Sequence, residues 1–286
     1  GTGFMSDNRP IGVFDSGMGG LTVLKALRAA LPGEDLVYLG DTARLPYGTK
    51  SAETVRAYAL QAVQLLMSHD VKLVVIACNT ASSVALEPLS GALRPLPVIG
   101  VVEPGAQAGC EATKNGHIAV IATESTVKGG AYERAIHALN KDAEVTQLAC
   151  PLFVALAEEG WTEGEVTAGA VKRYLLPLFP DGGPDHSEAP DTLVLGCTHF
   201  PVLAPAIGQV LGDKVTLVDS AATTARAVAA TLEDKGLAHA PADEKSIVRF
   251  MATDSPERFA RVGSVFFGEA IEPENVELVD LKPAPA

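Results

Sequence analysis

The chain has 286 residues, 47% of them hydrophobic, enough for one large or two ordinary packed domains. Its net charge of −13, with no run of Lys or Arg, argues against nucleic acid and anionic membrane surfaces as partners, because both would repel it. Small acidic substrates pass this test, since a few backbone N–H groups and helix N-termini bind a carboxylate against an unfavourable overall field.

In chain order, residues 1–4 precede Met5 and read as a vector-derived remnant. An apolar run at 11–14 (IGVF) leads into the glycine-rich turn DSGMGG and then into helical periodicity from Leu21 to Leu31. The pattern repeats: LVYLG, a helical segment from Ala52 to Met67, KLVVIA, PVIGVV, HIAVIA, a helical segment from Ala131 to Leu139, TLVLG and VTLVD. Strands alternating with helices predict an α/β protein with parallel sheets covered on both faces. Glycines in DSGMGG and VKGG suit tight strand-to-helix turns. DGGPDHSEAP at 181–190 reads as a polar surface insertion, and the final LKPAPA as a loose tail. No basic-then-apolar leader and no stretch of transmembrane length is present, so a cytoplasmic location is expected.

Within this series lies an internal duplication. The run from Ile11 pairs with the run from Ile118, VVIACNTAS with LVLGCTHFP, and the run from Val98 with that from Val215, in the same order and at similar offsets. Two related α/β halves follow. Each carries a cysteine just past the carboxyl end of a strand, where open α/β sheets place ligands. If the halves face each other, Cys78 and Cys197 flank one cleft.

The four cysteines form no CxxC pair and fit free thiols. Cys110 and Cys150 read as small buried hydrophobes. Cys78 and Cys197 differ, because hydroxyl, amide or imidazole groups follow each of them and because they occupy matching positions. A metal site is not expected: Cys197 and His199 are close, but the histidines at 69, 117, 137, 186 and 239 show no ligand spacing. DSGMGG does not complete GxGxxG and no GxxxxGK[ST] occurs, so nucleotide binding has no support.

The stretches GVFDSGMGGLTVL, YLGDTARLPYGTKS, IACNTASS, ATESTVKGGAY, CPLFVALAEEGW and LGCTHFPVL, taken in order from about Ile11 to Ser220, resemble the glutamate racemases of the cofactor-independent aspartate/glutamate racemase superfamily. The resemblance implies two flavodoxin-like parallel-sheet domains related by a pseudo-twofold, with the active site in the cleft between them. The first domain would comprise residues 5–102 plus 217–286, and the second residues 103–216. It further implies L- and D-glutamate as substrates, no cofactor, a role in supplying D-glutamate for peptidoglycan, and a homodimer. Cys78 would act on the D-enantiomer and Cys197 on the L-enantiomer, with Asp15 assisting the first and His199 with Glu158 the second. Ser16, Asn79, Thr80 and Thr198, with Tyr47 and Gly48 from a neighbouring loop and with Asp15 and His199, would bind substrate.

Inverting an amino acid at Cα without pyridoxal phosphate means taking a weakly acidic proton from one face and returning one to the other. Thiols suit both tasks: at an ordinary pKa of about 8.5, a modest environmental push makes one a base while the other stays an acid. Without the resemblance, Asp15, Asn79 and Thr80 also fit helix capping, and Glu158 an ordinary solvated helix position. The residues leave other functions open: racemisation of aspartate, a cysteine hydrolase built on Cys197, His199 and Glu158, or a non-catalytic amino-acid-binding module.

Overall fold

The computed structural model describes residues 5–179 and 189–281. Most of the 181–190 insertion and of the C-terminal tail therefore lies outside the described residues.

Two all-parallel sheets organise the chain. The first contains β1 (Ile11–Asp15), β2 (Leu36–Gly40), β3 (Leu73–Ile76), β4 (Val98–Gly100), β9 (Val248–Ala252) and β10 (Val276–Leu278), in the order β10-β9-β2-β1-β3-β4. The second contains β5 (His117–Ala122), β6 (Glu144–Ala149), β7 (Thr192–Leu195) and β8 (Thr216–Asp219), in the order β6-β5-β7-β8. Hence β2-β1-β3-β4 and β6-β5-β7-β8 repeat one topology, and the duplication read from the sequence corresponds to β1 with β5, β3 with β7 and β4 with β8. Every residue of β1, β2, β3, β5 and β7 is buried, as strands covered on both faces require, which is why they read as continuous apolar runs.

Eleven α-helices among the described residues connect these strands: α1 (Leu21–Ala30), α2 (Ala52–Met67), α3 (Asn79–Ala92), α4 (Val102–Ala112), α5 (Glu124–Gly129), α6 (Ala131–Leu139), α7 (Pro151–Glu158), α8 (Glu165–Leu175), α9 (Ala204–Leu211), α10 (Ala221–Lys235) and α11 (Pro256–Phe267). Their starts follow local rules. Ser51 and Thr123 accept from the N–H groups of Thr54 and Thr126 to cap α2 and α5, and Pro151 and Pro256 open α7 and α11. The periodic segments at Ala52–Met67 and Ala131–Leu139 are helices over their full lengths, and the first stops one residue short of Leu31.

Three strands had no counterpart in the apolar-run series. β6 is a partly exposed edge strand in which Glu144, Thr146 and Gln147 interrupt the apolar residues, β9 carries Arg249, and β10 has three residues, two of them exposed, so none presents an apolar run. After α10 the chain returns to the first sheet, where β9 pairs with β2, and α11 packs on α1. At the amino ends of the strands, buried Lys72 donates to both oxygens of Glu34 at 3.0 and 2.7 Å and to the Asp7 carbonyl at 2.6 Å. Glu34 also accepts from the His239 N–H, tying this connector to the first sheet.

Candidate active site

At the carboxyl ends of the two sheets lies a cavity of about 180 Å³, lined from both halves. From β3 the chain runs through Ala77 to Cys78, which is extended (φ −118°, ψ 122°) and caps α3, its Sγ accepting from the Ala81 N–H at 3.4 Å. From β7 it passes Gly196 to Cys197. A Cβ at 196 would lie 2.7 Å from the Ile121 carbonyl oxygen, so only glycine lets this turn lie so close to β5. Both sulfurs belong to residues 6% exposed, and both residues line the one cavity. The structure thus brings together the two thiols that sequence position alone had paired.

Burial first, and then the charge of Asp15, push the Cys78 thiol up to about 12, with the hydrogen bonds from Ser16 and the Ala81 N–H acting in the opposite direction. Asp15, at the end of β1, stands behind the cavity wall with 1% exposure. Its carboxylate accepts from the N–H groups of Ser16 (2.8 Å) and Gly20 (2.7 Å) and from the Tyr38 hydroxyl (2.5 Å). Burial nevertheless raises its pKa above the usual aspartate value, against those bonds.

The Cys197 side is built differently. His199 Nδ1 is 3.8 Å from Cys197 Sγ, and Nε2 is 3.0 Å from Glu158 Oε1. Burial disfavours an imidazolium here, but the hydrogen bonds to Cys197 and Glu158 outweigh it and raise His199 to about 10. Although burial opposes its charge, the hydrogen bond and charge of His199, with Arg258 adding to them, hold the Glu158 carboxyl below the ordinary range. Of the adjacent glutamates, Glu158 turns inward and Glu159 is exposed. One thiol therefore faces a buried carboxylate, and the other an imidazole backed by a carboxylate.

The remaining anticipated residues divide. Ser16, Tyr47, Gly48, Asn79, Thr80 and Thr198 all line the cavity. Asn79 also reaches the other half: with its amide oriented to satisfy its neighbours, its oxygen accepts from the Thr198 N–H at 3.3 Å, while its nitrogen donates to the Gly196 carbonyl at 3.3 Å and to the Tyr132 hydroxyl at 2.5 Å. Thr80 and Thr123 hydroxyls meet across the halves at 3.0 Å. Tyr47 is buried with its hydroxyl donated to Asp41, which also holds Arg44 at 2.7 Å. Gly48 packs against Thr123 so closely that a Cβ would lie 2.9 Å from Thr123 Cβ, and its carbonyl accepts from the Ser125 N–H. No Lys or Arg is among the lining residues.

Sequence reasoning did not single out Tyr38, Tyr132, Thr123 or Arg258. The two tyrosines sit in apolar patterns that read as core, and their hydroxyl partners, Asp15 and Asn79, lie far along the chain. Thr123 had a signal, the same strand-end placement in the duplicate that marks Asp15 and Ser16 in the first half. Among the described residues no group of three His, Cys, Asp or Glu side chains is arranged to hold a metal ion, and no helix is long and apolar enough to cross a membrane.

Residues 11–228 match the family model for Asp/Glu/hydantoin racemases. The chain is 50% identical over 260 residues to a glutamate racemase of Geobacter metallireducens, covering 91% of this chain and 93% of that one. A glutamate racemase isoform from Bacillus anthracis superposes with a TM-score of 0.87 at 38% identity, covering 96% and 98% of the two chains. The glutamate racemase of Francisella tularensis, solved in complex with D-glutamate, gives a TM-score of 0.85 at 37% identity over 96% and 98%.

Proposed function

The chain belongs to the Asp/Glu/hydantoin racemase family of isomerases, and we propose that it interconverts L- and D-glutamate by moving a proton at Cα between Cys78 and Cys197. The observation that carries this reading is the placement of two buried thiols, at equivalent strand ends of two like-ordered sheets, on one cavity.

In the L-to-D direction the Cys197 thiolate takes the Cα hydrogen and the Cys78 thiol supplies one to the opposite face; the reverse direction exchanges these roles. The differing surroundings support that division. The high pKa of Cys78 keeps it a proton donor at neutral pH, and protonated His199 is a hydrogen-bond donor suited to a thiolate at Cys197. Asp15 receives the proton burden on one side, and His199 with Glu158 on the other. As the Cα hydrogen leaves, negative charge spreads into the α-carboxylate. The hydroxyls of Ser16, Thr80 and Thr198 and the N–H groups of Asn79 and Thr80 that open α3 are donors available to that charge, and they serve the transition state better than the ground state. Binding by neutral donors leaves no lysine or arginine to immobilise a carboxylate too firmly for release.

Supply of D-glutamate for peptidoglycan, a cytoplasmic location and a homodimeric state complete the reading, supported by family likeness; sedimentation checks the last.

The test is incubation with L-glutamate in heavy water, followed by NMR at Cα and by polarimetry. Deuterium at Cα with loss of optical rotation is expected, and racemisation should vanish in Cys78→Ala and in Cys197→Ala. Faster racemisation of L-aspartate than of L-glutamate would overturn the substrate assignment, and a trappable acyl-enzyme at Cys197 that persists without Cys78 would favour a hydrolase.

A further inference from the structure

Glu158 ends α7 and Cys197 and His199 follow β7, so all three belong to the second half, yet elements of the first half grip them. Gly19, in the turn before α1, lies against the imidazole: a Cβ there would sit 2.2 Å from His199 Nδ1. Thr22 on α1 donates its hydroxyl to the Thr198 carbonyl at 3.0 Å. Phe266 on α11 meets the His199 ring at 5.0 Å between centroids and 68° between planes. From the same helix Arg258 reaches Glu158, with Nη2 3.4 Å from Oε2. Oε1 of that carboxylate is the oxygen bonded to His199 Nε2. A continuous polar chain therefore runs from α11 through Glu158 and His199 to the sulfur of Cys197.

A carboxylate held at one oxygen turns freely about its terminal bond; held at both, it presents a fixed lone pair to the imidazole. We propose that Arg258 is a positioning residue for racemisation, acting through Glu158 to keep His199 on Cys197, so that the C-terminal helix of one half sets the readiness of the other half's thiol. The proposal rests on the two-thiol reading above. The charged and titratable groups concerned are few: Glu158 faces His199 and Arg258, and His199 faces Cys197 and Glu158 with Asp15 in its field. The Arg258 side chain is 43% exposed, so water screens the contact and the effect is graded, not all-or-none.

Because the two enantiomers have equal free energies, kcat/KM must be the same in both directions for every variant, and their ratio carries no information. Isotope effects do carry it. From α-deuterated L-glutamate the label passes to Cys197, and from α-deuterated D-glutamate to Cys78. Weakening the Cys197 side alone raises the first effect and lowers the second.

The experiment compares the unaltered chain, Arg258→Gln and Arg258→Lys. For Arg258→Gln, kcat/KM should fall roughly two- to fivefold in both directions, the scale of a screened charge contact. Its isotope effect should grow for L-glutamate and shrink for D-glutamate, with Tm unchanged, and Arg258→Lys should recover part of the loss. Unchanged turnover, or a loss in which both isotope effects move together as general loosening would make them, overturns the proposal. An unaltered chain that fails to move the Cα hydrogen removes the two-thiol reading itself, and this inference falls with it.

Discussion

The hydroxyl of Tyr38 donates to Oδ2 of Asp15 at 2.5 Å, where neither residue meets solvent. A buried carboxylate needs such donors, and Asp15 has this one besides two backbone N–H groups. Tyr38→Phe should cost roughly 1–3 kcal/mol in denaturant unfolding, because it leaves part of a buried charge unpaired. It should also impair the Cys78 side selectively. Racemisation should fall, with the primary isotope effect rising for α-deuterated D-glutamate and not for the L-enantiomer. Unfolding free energy and isotope effects unchanged from the unaltered chain would show that the bond does neither job.

Gly19 is a second point of control. With no Cβ it leaves room for the His199 ring, whereas a methyl group there must displace the imidazole or the turn. Gly19→Ala is expected to lower kcat by roughly tenfold or more through a misplacement of about 1 Å. The fold should remain intact, since the three atoms nearest such a Cβ all belong to the His199 side chain and none to backbone. Near-wild-type turnover with an unmoved His199 imidazole in NMR would contradict this.

Alkaline pH should unfold the protein early. Burial pushes the thiols of Cys78 and Cys150 up to about 12, while the same groups in an unfolded chain ionise near about 8.5. The folded state then holds protons that the unfolded chain has released. The stability this confers is complete below the unfolded value and is lost as pH climbs through the folded one. His199, raised to about 10, acts with the same sign from a lower starting pH. A Tm that declines above pH 9, with a shallower decline in Cys150→Ala, is the expected result; a flat or rising Tm between pH 9 and 11 would refute it.

What could be read from sequence was what local pattern encodes. An apolar run ending in a cysteine and then hydroxyl groups marks a buried strand delivering its side chain to a sheet's carboxyl end. Cys78 and Cys197 were legible for that reason, and the duplicated order of runs became a repeated strand order. Tyr38 and Tyr132 were not, since a hydroxyl at the end of a buried ring leaves no mark on hydrophobic periodicity. Asn79 and Thr80 read equally well as caps, and the structure shows Asn79 engaged across the halves. Arg258 lies beyond the motifs, and its contact with Glu158 joins residues 100 apart in the chain, which no spacing rule anticipates. β6, β9 and β10 escaped because strands with an exposed or charged face lack the continuous apolar run.

Stability and chemistry should separate at Lys72 and Glu34. This ion pair is buried, with side-chain exposures of 0% and 5%, and precedes β3 and β2, at the opposite ends of the strands from the cavity. Lys72→Met strands the Glu34 carboxylate with the His239 N–H as its remaining donor and also gives up the bond to the Asp7 carbonyl. An uncompensated buried charge of this kind typically costs about 3–5 kcal/mol. Replacing both partners, Lys72→Met with Glu34→Leu, removes the stranded charge and should recover most of the loss, since apolar pairs of similar volume often match buried ion pairs. Turnover per folded molecule should be unchanged in both variants at a temperature well below their Tm. Denaturant unfolding of Lys72→Met, Glu34→Leu and the double variant gives the coupling, and a Lys72→Met cost below about 1 kcal/mol would mean that Glu34 finds solvent when Lys72 is gone.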